Sequence, residues 1–370
     1  MPTARCTCWT SAEPSGGSTP PERGRRAAGR RPWPPRRSAP SGGFGEPLPS
    51  GGMTEEATSM RVNLMIEGQE SVTWDQWVAL ARASEAAGLE GLFRSDHYQS
   101  VASHTERSSL DAWVTLGALA AVTSRIRLGT MVSPSSFRHP SILAKSVVTA
   151  DHVSGGRIEL GMGAGWHELE HRTYGFEFHD LGTRFEVLEE QVEIVTRQFR
   201  EDRFDHHGTH YRLEACEANP KPVQSPAVPL ILGGLAGPRS ARLAARYADE
   251  YNTVFPTPEE AGQRLDRLVA ACDAVGRTPL PLSVMTGCLL GRDEQEVTDR
   301  AALLKERSGA DGDLEGWLDG LRPAWVIGTV EQAAERLHAY REVGVSRVML
   351  QHQLHDDLDM VALMGQLVDA

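Results

Sequence analysis

GRIELGMGAGWHEL, residues 156–169, is the stretch on which the fold turns. Its Gly161, Gly163 and Gly165 look like a loop that lets a backbone approach phosphate, as in the dinucleotide turn of a doubly wound sheet. That turn follows the first strand of its domain, and an acidic residue answers it about 20 residues later. Here the run follows the fourth strand-like segment and passes at once into Trp166, His167 and Glu168. The dinucleotide turn fits poorly, so the units on either side have to decide the architecture.

Working outward, short apolar runs alternate with amphipathic stretches. Strands are expected at 61–66, 89–94, 125–132, 157–162, 228–233, 250–255, 282–290 and 346–351. Helix-like segments at 74–87, 109–122, 140–153, 184–199, 237–247, 259–275 and 331–343 lie between them, several closed by Gly. Short apolar strands separated by helices predict parallel pairing with both sheet faces covered. Eight such units fit a closed α/β architecture, a (β/α)8 TIM barrel, better than an open sheet. Extra length falls after strand 4, where polar 200–227 predicts a loop or small hairpin. It falls again before strand 8, where Gly- and Asp-rich 308–328 predicts a lid or capping insert.

Residues 1–59 are expected to be a disordered N-terminal extension, with 60–370 the barrel domain and Met53 or Met60 the natural first residue. Residues 1–53 carry ten Pro, eight Arg and three Glu with no periodic apolar run, which cannot repay the entropy of ordering. Removing these from the chain's 38 basic and 50 acidic residues leaves 30 and 47, a formal charge of −17. Such a charge argues against nucleic acid or an anionic membrane surface as partner. No apolar stretch reaches the roughly 18 residues of a membrane helix. Cys216, Cys272 and Cys288 are isolated, implying neither a disulfide framework nor a thiolate metal site. A cytoplasmic globular protein is the expectation.

In a barrel, residues just past the strands gather on one face. They are Glu67, Ser95 to Tyr98, Ser133 to His139, Gly163 to His171, and Gly233 with Gly234. Asp96 and His97 are neighbours and cannot share one orientation; His97 is the better candidate to face a reacting centre, with Asp96 fixing its surroundings. Arg138 is either an anion contact or a partner for nearby acids. His167 to His171 reads HELEH and formally satisfies the zinc-protease pattern. Its place after a glycine loop at a strand end argues against that chemistry, and no metal is expected.

Together, SDHY at 95–98, the stretch 125–178, RFEVLEEQVEI at 184–194, PLILGG at 229–234 and RLAARYADEYN at 242–252 resemble the bacterial luciferase-like oxidoreductases. The resemblance is to the branch using the 8-hydroxy-5-deazaflavin coenzyme F420. It implies His97 and Asp96 as catalytic residues beside the cofactor ring, His97 passing the proton that accompanies hydride transfer to or from a small organic substrate. It also implies a non-prolyl cis bond between Met131 and Val132 behind the ring. Gly163, Gly165 and Trp166 would line the cofactor, Gly233 and Gly234 would donate backbone to its phosphate, and Glu168 and His171 would form pocket wall. Trp74, Trp77, Trp166 and Trp317 could offer a stacking surface or serve as packing. The phrase SGGRIELGMGAGW favours F420. The alternatives are an FMN-dependent two-component monooxygenase supplied by a flavin reductase, and a barrel that binds cofactor without turnover. A homodimer is implied by the resemblance alone.

Overall fold

A computed structural model describes residues 60–101 and 106–368, so the expected extension at 1–59 lies outside the described residues. The strands are β1 (Arg61–Ile66), β2 (Gly91–Arg94), β3 (Arg127–Thr130), β4 (Ser133–Pro134), β5 (Ile158–Gly163), β6 (Phe204–His207), β7 (Arg212–Cys216), β8 (Leu230–Gly233), β9 (Glu250–Val254), β10 (Leu282–Gly291), β11 (Val326–Thr329) and β12 (Val345–Gln351). The helices are α1 (Trp74–Ala86), α2 (Ala112–Val122), α3 (Pro140–Ser154), α4 (Glu168–Tyr174), α5 (Leu181–Arg200), α6 (Pro238–Tyr247), α7 (Pro258–Asp273), α8 (Glu294–Ser308), α9 (Leu314–Leu321), α10 (Val330–Glu342) and α11 (Leu358–Gly365).

Strands β1, β2, β3, β5, β8, β9, β10 and β12 pair in that order, all parallel, and β12 returns to β1. This closed eight-stranded α/β barrel is the (β/α)8 fold expected from the alternating runs. Residues 200–227 supply the antiparallel β6–β7 hairpin. The segment before strand 8 differs from a simple lid: it forms α9 and then β11, which pairs with the far end of β10 at Cys288–Gly291. The helices start where local chemistry dictates. Thr73 with Gln76, Thr257 with Glu260, and Thr329 with Gln332 form capping boxes on α1, α7 and α10. Each cap contributes about 1 kcal/mol by satisfying amides the helix leaves open.

Alternate residues of each strand point into the barrel, so strand parity decides what reaches the site. At the bottom, buried Arg347 meets Glu159 at 2.7 Å and Glu250 at 3.2 Å. Two residues further along, Met65, Phe93, Ile231, Met285 and Met349 form an apolar plug, with Met131 against it. The next inward positions, including Glu67, Ser95, Gly163, Gly233, Val254 and Gln351, open on a cavity. Opposite parity sends Val62, Leu64, Leu128, Leu160 and Val348 outward into the core beneath the helices. Among the described residues no helix is long and apolar enough to cross a membrane.

Candidate functional site

The cavity measures about 1020 Å³ and lies at the C-terminal ends of the barrel strands. His97, Met131, Val132, Gly163, Gly165, Trp166, Gly233 and Gly234 all line it. Asp96 does not. Its carboxylate is 1 % exposed and accepts from Ser133 Oγ at 2.6 Å and from Arg138 Nη1 at 2.5 Å. Arg138 also donates to Asp111 at 2.7 Å and to the Tyr98 hydroxyl at 3.0 Å. Burial opposes the Arg138 charge, but Asp96 and its neighbours outweigh it and hold the guanidinium above its ordinary value. Asp96 is not among the residues that line the cavity, and its bonds tie the end of β2 to the β4–α3 segment. Arg138 is the partner of acids rather than an anion contact.

His97 is held from behind. Its Nδ1 lies 2.8 Å from Glu170 Oε2, while Glu170 Oε1 accepts from the Tyr98 amide and, at 3.2 Å, from the Gln99 amide. Burial alone would lower the imidazole's pKa, but the Glu170 bond and charge, with Glu67 and Asp96, raise it above the ordinary value. Glu170 shows the counterpart: burial pushes up, but His97 and the two amides prevail and lower it. With Nδ1 committed, Nε2 is the nitrogen left for the cavity, and the imidazole can hold or release a proton there.

Glu170 was not singled out in the sequence, where HELEH drew attention to Glu168 and His171. The helical phase of α4 corrects this. Glu168 is exposed, while Glu170 and His171 turn inward. Neither Glu168 nor His171 forms cavity wall. His171 spends Nε2 on Ser136 Oγ at 2.6 Å and Nδ1 on the His167 carbonyl at 2.8 Å. Neither ring nitrogen is free to ligate, and among the described residues no group of three His, Cys, Asp or Glu is placed to hold a metal.

The opposite wall is built by backbone. The Met131–Val132 bond is cis. A Cβ on Gly163 would stand 2.7 Å from Val132 Cγ2, and one on Gly233 3.1 Å from Val132 Cγ1, so glycine at both positions lets Val132 project. Gly234 has φ +151 and its N–H already donates to the Asn252 carbonyl at 3.0 Å. Gly234 is thus not the free backbone donor to phosphate that the resemblance implied. Free donors lie just beyond, in the first turn of α6, where Gly237 provides no side-chain cap and Pro238 opens the helix. Ser240 of that turn lines the cavity. Of the four tryptophans, only Trp166 lines it, its ring 5.9 Å from His97 edge-on. Trp77 is buried packing under the Arg94 guanidinium, 4.7 Å away.

Comparison with known proteins gives this geometry its class. Residues 57–347 match the family model described as luciferase-like monooxygenase, and the chain belongs to that family. It is similar to pyrimidine monooxygenase RutA of Stutzerimonas stutzeri, 30 % identical over 251 residues, covering 65 % of this chain and 67 % of the relative. It is also similar to the F420-dependent glucose-6-phosphate dehydrogenase of Nakamurella multipartita, 26 % identical over 317 residues, covering 78 % and 90 %. Among solved structures, the coenzyme F420 dependent tetrahydromethanopterin reductase from Methanopyrus kandleri shares the fold. It superposes with a TM-score of 0.70 at 18 % identity, over 84 % of this chain and 99 % of that one. The protein is an enzyme, a luciferase-like oxidoreductase or monooxygenase that acts with a flavin- or F420-type cofactor. A barrel without turnover is thereby set aside.

Proposed function

We propose that the enzyme transfers a hydride between coenzyme F420 and a small organic substrate, with His97 moving the accompanying proton. The observation carrying this is the buried Glu170 carboxylate 2.8 Å behind His97, which keeps a proton-bearing imidazole at the cavity. The long alignment with an F420-dependent dehydrogenase supports the choice of cofactor. The residues present fit such a group. Glycine at 163 and 233 lets Val132 project so that it would back a flat ring, and the uncapped first turn of α6 suits its phosphate.

When bound, the deazaflavin supplies or accepts two electrons as hydride. Met131 and Val132 would back the ring, and Gly163, Gly165, Trp166 and Gly233 would line it. The α6 turn and Ser240 would hold its phosphate. His97 Nε2 gives a proton to the substrate oxygen or takes one from it, according to direction. Glu170 fixes the tautomer and stabilises the imidazolium, and Asp96 keeps the loop in place through Arg138. The similarity to RutA favours one second reading, an FMN-dependent monooxygenase using reduced flavin and O2 and needing a flavin reductase as partner. A homodimer is inferred in either case.

Anaerobic incubation of oxidised F420 with a panel of alcohols, followed by loss of its absorbance, tests the proposal. The wild type is expected to turn over. His97→Ala should lose on the order of 10²-fold or more in turnover, with cofactor affinity little changed. Oxygen uptake dependent on reduced FMN, with no F420 reduction by any alcohol, would favour the monooxygenase instead.

A further inference from the structure

Across the cavity from Val132 lies a polar wall the mechanism above does not use. Glu67 follows β1, and both its oxygens are taken by neutral amides: Gln69 Nε2 donates to Oε2 at 2.6 Å, and Gln351 Nε2 donates to Oε1. The orientation of Gln69 is fixed, because its Oε1 accepts from Ser95 Oγ at 2.5 Å, which in turn accepts from the Gly68 amide at 3.1 Å. On the other side Gln353 donates to Gln351 Oε1 at 3.2 Å. Glu67 makes no ion pair among the described residues, so a carboxylate with spare lone pairs sits in the cavity wall.

The segment after β12 brings His355 to the wall of the same cavity. This residue is 8 % exposed, lines the cavity, and its buried Nε2 has no hydrogen-bond partner among the described residues. A buried ring nitrogen without a partner costs free energy unless something arrives to pair with it. Burial, with His352 nearby, pushes the His355 pKa down to about 4, so the ring is neutral at neutral pH. At the rim, Arg107 pairs with Glu70 and donates to the Arg307 carbonyl at 3.0 Å, while the exposed Arg307 guanidinium lies 3.9 Å from Asp356. Phe255, Met285 and Leu304 complete this end with apolar surface.

We propose that Glu67 and His355 form the substrate-recognising end of the cavity, selecting uncharged molecules that carry a hydroxyl or secondary amide on an apolar body. This rests on assigning the Val132 wall to the cofactor. An O–H or N–H donates to Glu67, and the adjoining hydroxyl or carbonyl oxygen pairs with His355 Nε2. Carboxylates and phosphates are disfavoured at this end, because their charge would face Glu67.

The test uses the full chain and three probes of similar size: 2-piperidone, N-methyl-2-piperidone and cyclohexanecarboxylate. Their dissociation constants are measured by ligand-observed NMR, with and without saturating cofactor. The wild type is expected to bind 2-piperidone about ten-fold or more tightly than its N-methyl form, since the methyl removes a bond to a charged group, and to bind the carboxylate most weakly. Glu67→Gln should bring the two lactams within about two-fold of each other while cofactor affinity stays unchanged. His355→Leu should weaken 2-piperidone and leave the melting temperature unchanged or raised, because it removes an unpartnered nitrogen. Equal binding of the lactams by wild type, or a preference surviving Glu67→Gln, overturns the proposal. A melting temperature that falls in His355→Leu with probe binding intact removes His355 from it. If neither F420 nor FMN binds yet the lactam preference is present, the cofactor assignment fails and this subsite stands.

Discussion

Replacing Glu170 with Gln isolates the pair on which the proposed chemistry depends. The variant keeps an amide oxygen that can still accept from the Tyr98 and Gln99 amides, so the loop after β2 stays anchored. It loses the charge that faces His97 Nδ1 at 2.8 Å. A hydrogen bond between charged groups contributes about 1.5–3 kcal/mol, and about 1.4 kcal/mol is ten-fold in an equilibrium. The imidazolium should therefore become about 10- to 100-fold less favoured, leaving burial free to lower the His97 pKa. The assay is a pH titration of the His97 Cε1–H signal in ring-labelled protein.

The pair also predicts how stability depends on pH. The folded His97 value is raised, so its contribution is complete below the ordinary 6.5 and lost as pH rises through the folded value. The folded Glu170 value is lowered, so its contribution is complete above the ordinary 4.5 and lost as pH falls through the folded value. The variant should lose most stability relative to wild type between those two pH values. A His97 titration in Glu170→Gln at or above the wild-type midpoint would show that Glu170 does not hold the imidazolium.

Arg138→Met strands the buried Asp96 carboxylate and should cost about 3–5 kcal/mol in urea unfolding, much of it recovered when Asp96→Asn is added. Gly234→Val forces a side chain at φ +151 and places a Cβ 3.0 Å from the Tyr251 hydroxyl, which also bonds the Ala236 amide. The turn leading into α6 must shift, so cofactor titration should show at least a roughly ten-fold loss of affinity, about 1.4 kcal/mol. At the barrel floor, burial raises Glu159, but Arg347 overrides it and keeps it ionised below its ordinary value, whereas burial holds Glu250 above its own. Glu159→Gln should then cost about 3–5 kcal/mol at neutral pH and Glu250→Gln less than about 1 kcal/mol, as read from chemical unfolding.

Much of the barrel was legible because a parallel strand covered on both faces must be apolar throughout. The runs at 61–66, 250–255 and 346–351 meet β1, β9 and β12 within a residue. The apolar run at 125–132 overruns β3, because Met131 and Val132 are as apolar as the strand but leave it at the cis bond. Helix α8 gives a weak pattern because its buried side is narrow, with Arg300 among Val297, Ala301 and Leu304, and because the apolar Leu303 faces outward. The glycines around Val132 could be placed by resemblance. Glu170 could not be distinguished from Glu168 until the start of α4 fixed the helical phase. Adjacency to His97 already pointed to Asp96 fixing its surroundings, since successive side chains leave a strand end on opposite sides; only the resemblance implied a catalytic role, and Asp96 is bonded to Ser133 and Arg138. Gln351 could have been found from strand parity, two positions beyond Met349 and four beyond Arg347; His355, in the following loop, had no such signal.

A deazaflavin in this cavity, with His97 beside it as the proton-transfer group, is the proposed arrangement. Paired equilibrium titrations of the pure chain with oxidised F420 and with FMN, followed by fluorescence, address the cofactor directly. Saturable binding of F420 at least about ten-fold tighter than FMN is expected, a difference of about 1.4 kcal/mol. Binding of FMN with the greater affinity, or of neither cofactor, would contradict it.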